Sequence, residues 1–199
     1  MVLLKIGFLA SHGGSAMRYL FGAIQSGELD ACVSAVISNN RDSVAYSWAL
    51  EAGLNPVHIS AKTHPGAEHE DLAICEALGE SDTVVLSGYM KRLGPQTLAR
   101  FPNRILNIHP ALLPKFGGQG MYGDRVHAAV LDAGAAHSGA TVHVVNEHYD
   151  EGPILGQSTI AVEATDTVES LRTRVQALEG PLFLKVLKTL SAQDPVTCR

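Results

Sequence analysis

The feature that most constrains this chain is the regular alternation of short apolar runs with helical stretches over its first half. Leu3 to Ala10, Cys32 to Ser38, Pro56 to Ile59, Thr83 to Leu86 and Arg104 to Ile108 each have strand length and apolar character. Between them, Ala16 to Ile24, Asp42 to Ala52, Glu68 to Leu78 and Pro95 to Phe101 read as helices, with Asp42 as an N-cap. A parallel neighbour needs a long crossover, and a helix is the usual one. The alternation therefore predicts an α/β fold: a central, mostly parallel sheet with helices on both faces. Further on, Gly139 to Val145 and Ile154 to Val162 read as strands flanking a loop that holds Asp150. Thr167 to Leu178 reads as a helix capped by Thr165 or Asp166. Gly180-Pro181 is expected to kink or break it before Leu182 to Leu190 continues. Gly117 to Gly123 reads as a loop. The 199 residues show no repeat, low-complexity tract or linker, so a single domain over 1–199 is expected, with no separate regulatory domain.

Composition excludes several classes. The net charge of −5 comes without a basic tract, which disfavours electrostatic binding to nucleic acid. The apolar runs are too short to span a membrane, and the N-terminus reads as a first strand, not a signal peptide. Cys32, Cys75 and Cys198 are odd in number and widely spaced, with no C-x-x-C pair. Neither a disulfide framework nor zinc is suggested, and a reducing cytoplasm fits. Nor do the histidines show metal-ligand spacing, so no metal is expected.

The chemistry is concentrated after the strand that ends near Ile108. Asn107 and His109 are two residues apart, and the strand period of two turns both to one face. Pro110 then stops the ladder. The alternative is a strand end whose polar residues merely cap a turn. An amide there can bind a developing oxyanion, however, and an imidazole can carry protons near neutral pH. Asp150, in Tyr149-Asp150-Glu151-Gly152-Pro153, reads either as a turn residue or as a carboxylate partner that raises the His109 pKa. Ser11-His12-Gly13-Gly14-Ser15 follows the first strand and opens a helix, a place suited to phosphate. It is neither G-x-G-x-x-G nor a Walker loop, which argues against a dinucleotide or ATP.

An ordered series of segments resembles the folate-dependent formyltransferases. It runs Val84-Val85-Leu86-Ser87-Gly88-Tyr89-Met90, Asn107-Ile108-His109-Pro110, Leu112-Leu113-Pro114-Lys115, Gly120-Met121-Tyr122-Gly123, Thr141-Val142-His143, Asp150-Glu151-Gly152-Pro153 and Gln157. The likeness extends from about Lys5 to Leu190. It implies a Rossmann-like formyltransferase fold and transfer of a formyl group from 10-formyltetrahydrofolate to a primary amine. Asn107, His109 and Asp150 match the family's catalytic residues. Ser11, His12, Gly13, Gly14, Ser15 and Glu179 match its acceptor and phosphate contacts. Tyr89, Met90, Lys91, Arg92, Leu93, Val145 and His148 match the folate side. His143 stands where the family has a histidine near the active site, though a core or rim histidine is an equal reading. His127, taken as part of the glycine loop, is a further possible ligand contact. The implied acceptor is glycinamide ribonucleotide, a phosphorylated ribose derivative, used by a cytoplasmic monomer or homodimer. Ala16 replaces a frequent Asn, and Pro65 with His64 stands where many relatives carry a phosphate-reaching Arg. These departures keep open a different small amine as acceptor.

Overall fold

The computed structural model describes residues 3–193. Seven strands form one sheet in the order β3-β2-β1-β4-β5-β6-β7, with β1 Leu4–Ala10, β2 Ala31–Ser38, β3 Val57–His58, β4 Thr83–Leu86, β5 Ile105–His109, β6 His137–Val144 and β7 Ile154–Ala161. The pairs β1/β2, β1/β4 and β2/β3 are parallel, and β6/β7 is antiparallel. The helices are α1 Ser15–Gln25, α2 Val44–Glu51, α3 Ala67–Ala77, α4 Pro95–Arg100, α5 Asp124–Asp132 and α6 Val168–Gln193. The expected α/β architecture is therefore present.

The chain divides into two compact units, one ending at Leu106 and the other running Asn107–Leu190; Ser191 returns to the first. In the first unit β1 is buried almost throughout, and Ile6, Phe8 and Leu9 are fully enclosed with Met17 and Leu20 of α1 and Val84 and Val85 of β4. Enclosing each large side chain is worth about 1.5–3 kcal/mol, so burial on both faces outweighs any need for alternation. In the second unit the core is built on α6. Leu171, Val175, Leu182 and Val186 are all buried, as are Val126 and Val130 of α5; the fours in their spacing put them on one helix face.

Three local expectations are corrected, and one helix is added. The cap of α2 is Ser43, whose hydroxyl accepts from the Tyr46 N–H at 3.2 Å. Asp42 lies in the preceding turn, where its N–H is bound by Asn40 Oδ1 at 3.1 Å. At the start of α6 the cap is Thr167, not Thr165 or Asp166: Thr167 Oγ1 accepts from Ser170 N (3.2 Å) and Ser170 Oγ accepts from Thr167 N (2.9 Å), a reciprocal capping box. Pro181 does not break α6, which runs 26 residues through it. Its ring is exposed while Gly180, Leu182 and Phe183 are buried, so tertiary packing outweighs the lost N–H. Finally, residues after the glycine loop form α5, a helix the apolar pattern did not reveal.

Candidate active site

In the second unit, β5 ends on Asn107, Ile108 and His109, while β6 carries His143. Asn107 is half-buried; His109 and His143 are buried. The loop after β6 brings Asp150 to both imidazoles. Asp150 Oδ2 is 3.4 Å from His109 Nδ1, and Asp150 Oδ1 is 3.4 Å from His143 Nε2. The Gly118 N–H donates to Asp150 Oδ2 at 2.9 Å. Asn107 Nδ2 lies 3.2 Å from His143 Nε2. The structure thus gathers the three predicted catalytic residues and His143 into one cluster.

Carbonyl partners assign the protons, because a carbonyl can only accept. His143 Nδ1 donates to Val144 O at 3.0 Å, so the neutral ring's Nε2 can accept one Asn107 amide proton. The other amide proton stays uncommitted within this hydrogen-bond set. His109 Nε2 donates to Phe116 O at 2.7 Å, leaving Nδ1 toward Asp150.

Burial sets the balance of charge. It pushes the His109 imidazole below its ordinary value, more than the Asp150 carboxylate and the Phe116 carbonyl raise it, and His143 lowers it further. This corrects the expectation of a raised pKa: Asp150 acts in the expected direction, but desolvation is larger. For Asp150 itself, burial alone would raise the pKa. The His143 ring at 3.4 Å, the charge of His109 and the Gly118 N–H together hold it below the usual carboxylate value. Two non-glycine residues of this cluster, Phe116 (φ 58°) and Asp150 (φ 59°), have left-handed backbone. Such geometry costs energy and persists where surroundings impose it.

In the first unit, the turn after β1 and the loop after β4 lie together. Gly14, at φ 62°, is the N-cap of α1 and offers no side-chain cap. The Ser15 and Ala16 amides open the helix with no carbonyl four residues back within it. His12 is exposed, and its carbonyl accepts from Ala45 N at 2.8 Å. Ser11 Oγ accepts from Met90 N at 2.8 Å, and Ser87 Oγ accepts from Met17 N at 3.0 Å. Along the β4 loop, Met90, Lys91 and Arg92 are exposed, and Tyr89 and Leu93 are buried. Asp71 of α3 pins the far end of this loop by accepting from Gln96 N (2.7 Å), Thr97 N (3.1 Å) and Thr97 Oγ1 (2.6 Å) at the start of α4. The sequence reading missed Asp71; its signal was a carboxylate three residues before Ile74 on a helix face that is otherwise buried.

The remaining predicted residues belong to the second unit. Val145 is half-buried, His148 is exposed beside Glu147, and Glu179 is half-buried on α6. His127 is a helical residue of α5, only 1% exposed, not a loop residue. Among the described residues no group of His, Cys, Asp and Glu is placed to hold a metal ion, and no helix is long and apolar enough to cross a membrane. Cys32 and Cys75 are free thiols; Cys198 lies outside the described residues.

A family model described as formyl transferase matches residues 4–187. The chain is 40% identical to the chloroplastic phosphoribosylglycinamide formyltransferase of Arabidopsis thaliana over 92% of its own length and 64% of that protein, so it spans under two thirds of that relative. It is 38% identical to the phosphoribosylglycinamide formyltransferase of Mycobacterium tuberculosis, covering 92% of this chain and 83% of that one. Among solved structures, glycinamide ribonucleotide transformylase 1 of Symbiobacterium toebii superposes with a TM-score of 0.89 at 34% identity, over 96% of this chain and 89% of the other.

Proposed function

Because the chain belongs to the formyl transferase family, we propose that it transfers the formyl group of 10-formyltetrahydrofolate to the primary amine of glycinamide ribonucleotide. The observation that carries this is the cluster of Asn107, His109, His143 and Asp150, each within 3.4 Å of another member. The amine nitrogen attacks the formyl carbon, and negative charge grows on the formyl oxygen. The uncommitted Asn107 amide proton is the donor for that oxygen. His109 is held neutral at rest by burial, but a nearby oxyanion favours its protonated form, whose positive charge stabilises that oxygen. The bond from the formyl carbon to N10 of the folate then breaks. Asp150, held as a carboxylate, helps the amine proton reach N10, directly or through water. The products are the N-formyl amide and tetrahydrofolate.

In the first unit, the Ser15 and Ala16 amides and the positive end of α1 suit the acceptor's phosphate, and the exposed stretch Met90 to Arg92 suits the folate. Glu179 is assigned to the ribose hydroxyls, and Val145 and His148 to the folate side. The free thiols fit a reducing compartment such as the cytoplasm. The test is release of deformylated folate, followed by absorbance, with glycinamide ribonucleotide, with other small amines, and with none. Turnover that requires the ribonucleotide is expected. Turnover with another amine alone would replace the acceptor, and release without any amine would replace transfer by hydrolysis.

A further inference from the structure

Two buried serines exchange hydrogen bonds across the loops that follow β1 and β4. Ser11, 3% exposed, leaves the β1 side and accepts the Met90 amide of the β4 loop at 2.8 Å. Ser87, 2% exposed, leaves β4 and accepts the Met17 amide in the first turn of α1 at 3.0 Å. A third bond, Ser11 N to Gly88 O at 3.2 Å, lies between them. Each loop therefore gives a hydroxyl to an amide of the other.

The exchange is needed because neither loop caps itself. Helix α1 is preceded by Gly14 at its N-cap, whose missing side chain cannot accept a first-turn N–H; Ser87 does so from the end of β4. Met90 lies in irregular backbone, where no ladder partner accepts its amide, and Ser11 does. A hydroxyl that accepts such an N–H can still donate its own proton. Removing the Ser87 oxygen strands the buried Met17 amide, the expensive case for a hydrogen bond, and removing the Ser11 oxygen leaves the part-buried Met90 amide without its partner.

We infer that Ser11 and Ser87 are positioning residues that lock the acceptor turn Gly13–Ala16 and the folate loop Gly88–Leu93 into one register, so that each serine governs the binding of both substrates. This rests on the proposed assignment of the acceptor to the first loop and the folate to the second. It differs from a direct phosphate contact by Ser11, which would touch only the acceptor.

The test is the KM of each substrate in wild type, Ser11→Ala and Ser87→Ala. The discriminating values are the crossed ones: the folate KM of Ser11→Ala and the acceptor KM of Ser87→Ala. Both are expected to rise about tenfold, the size of one lost hydrogen-bond partner to an amide that water reaches poorly, while kcat changes less than threefold. A purely structural loss would lower the active fraction, and so the apparent kcat, with both KM values unmoved; that result overturns the inference. So does a rise confined to the acceptor KM in Ser11→Ala and the folate KM in Ser87→Ala. Should the variants fail to fold, amide hydrogen exchange on the wild type decides. Glycinamide ribonucleotide alone must slow exchange at Met90 as well as Met17, and an effect at Met17 only is contrary. If the wild type does not turn over the ribonucleotide, the proposed function fails, while exchange at Met17 on adding 10-formyltetrahydrofolate alone still tests the lock.

Discussion

Asp150 is the residue on which the cluster's electrostatics converge, since its two oxygens face two different imidazoles. His143 has no substrate role in this account. Its Nε2 accepts one Asn107 proton and so aims the other. Replacing His143 by Ala frees the amide to rotate and removes one partner of the carboxylate. A drop of about 10²-fold in kcat is expected, the scale of a misaligned reacting group. Steady-state kinetics of His143→Ala checks this, and an unchanged kcat would contradict the aiming role. That Asn107 and His109 share a face was legible from strand periodicity; the catalytic roles proposed for them and for Asp150 came from the family resemblance. The sign of the His109 shift was not legible. It depends on how deeply the ring is buried, and on the Phe116 carbonyl, and backbone partners leave no mark in a residue pattern.

Elements bring these groups together through glycine as much as through polar residues. At Gly117 a Cβ would collide with the Leu113 side chain and come within 3.2 Å of Asp150 Cβ. That close approach lets the loop after β5 run under the carboxylate and present the Gly118 amide to it. Gly117→Ala should therefore displace Asp150 and lower kcat at least tenfold with the protein still folded. Circular dichroism together with the turnover assay separates this from unfolding, and full activity would mean the loop adjusts freely. At this scale the strands were legible to within a residue or so. Thr83–Leu86 was matched at both ends, because a run buried on both faces needs no context. α5 was missed because Asp124–Asp132 has few large apolar residues. α6 was expected to kink or break because local preference at Pro181 is opposed only by burial of its neighbours, which sequence does not display.

For the whole molecule, the clearest consequence is the pH dependence of stability. His109 and His127 both have folded pKa values below the ordinary 6.5, in each case chiefly through burial. A depressed pKa means that the unfolded chain binds more protons than the folded one. Their stabilisation is complete above pH 6.5 and is lost as pH falls from there through the depressed folded values. Asp150, lowered from 3.8, adds a second loss at more acid pH. Thermal melting from pH 8 to 5 should show Tm falling below about pH 6.5, with a shallower fall in His109→Gln. A Tm that rises toward pH 5.5 would contradict the burial argument. At this scale the α/β architecture was legible from the alternation of strands and helices, and the family from an ordered series of motifs. The cross-links between loops, such as Ser87 to Met17, were not, since they join residues 70 positions apart.

The most direct test of the account is the rate of formyl transfer to glycinamide ribonucleotide by the wild type and by Asn107→Ala, measured as formylated product. The account predicts turnover by the wild type and a fall of about 10²–10³ in kcat on losing the oxyanion donor. Equal rates for the two proteins would contradict it.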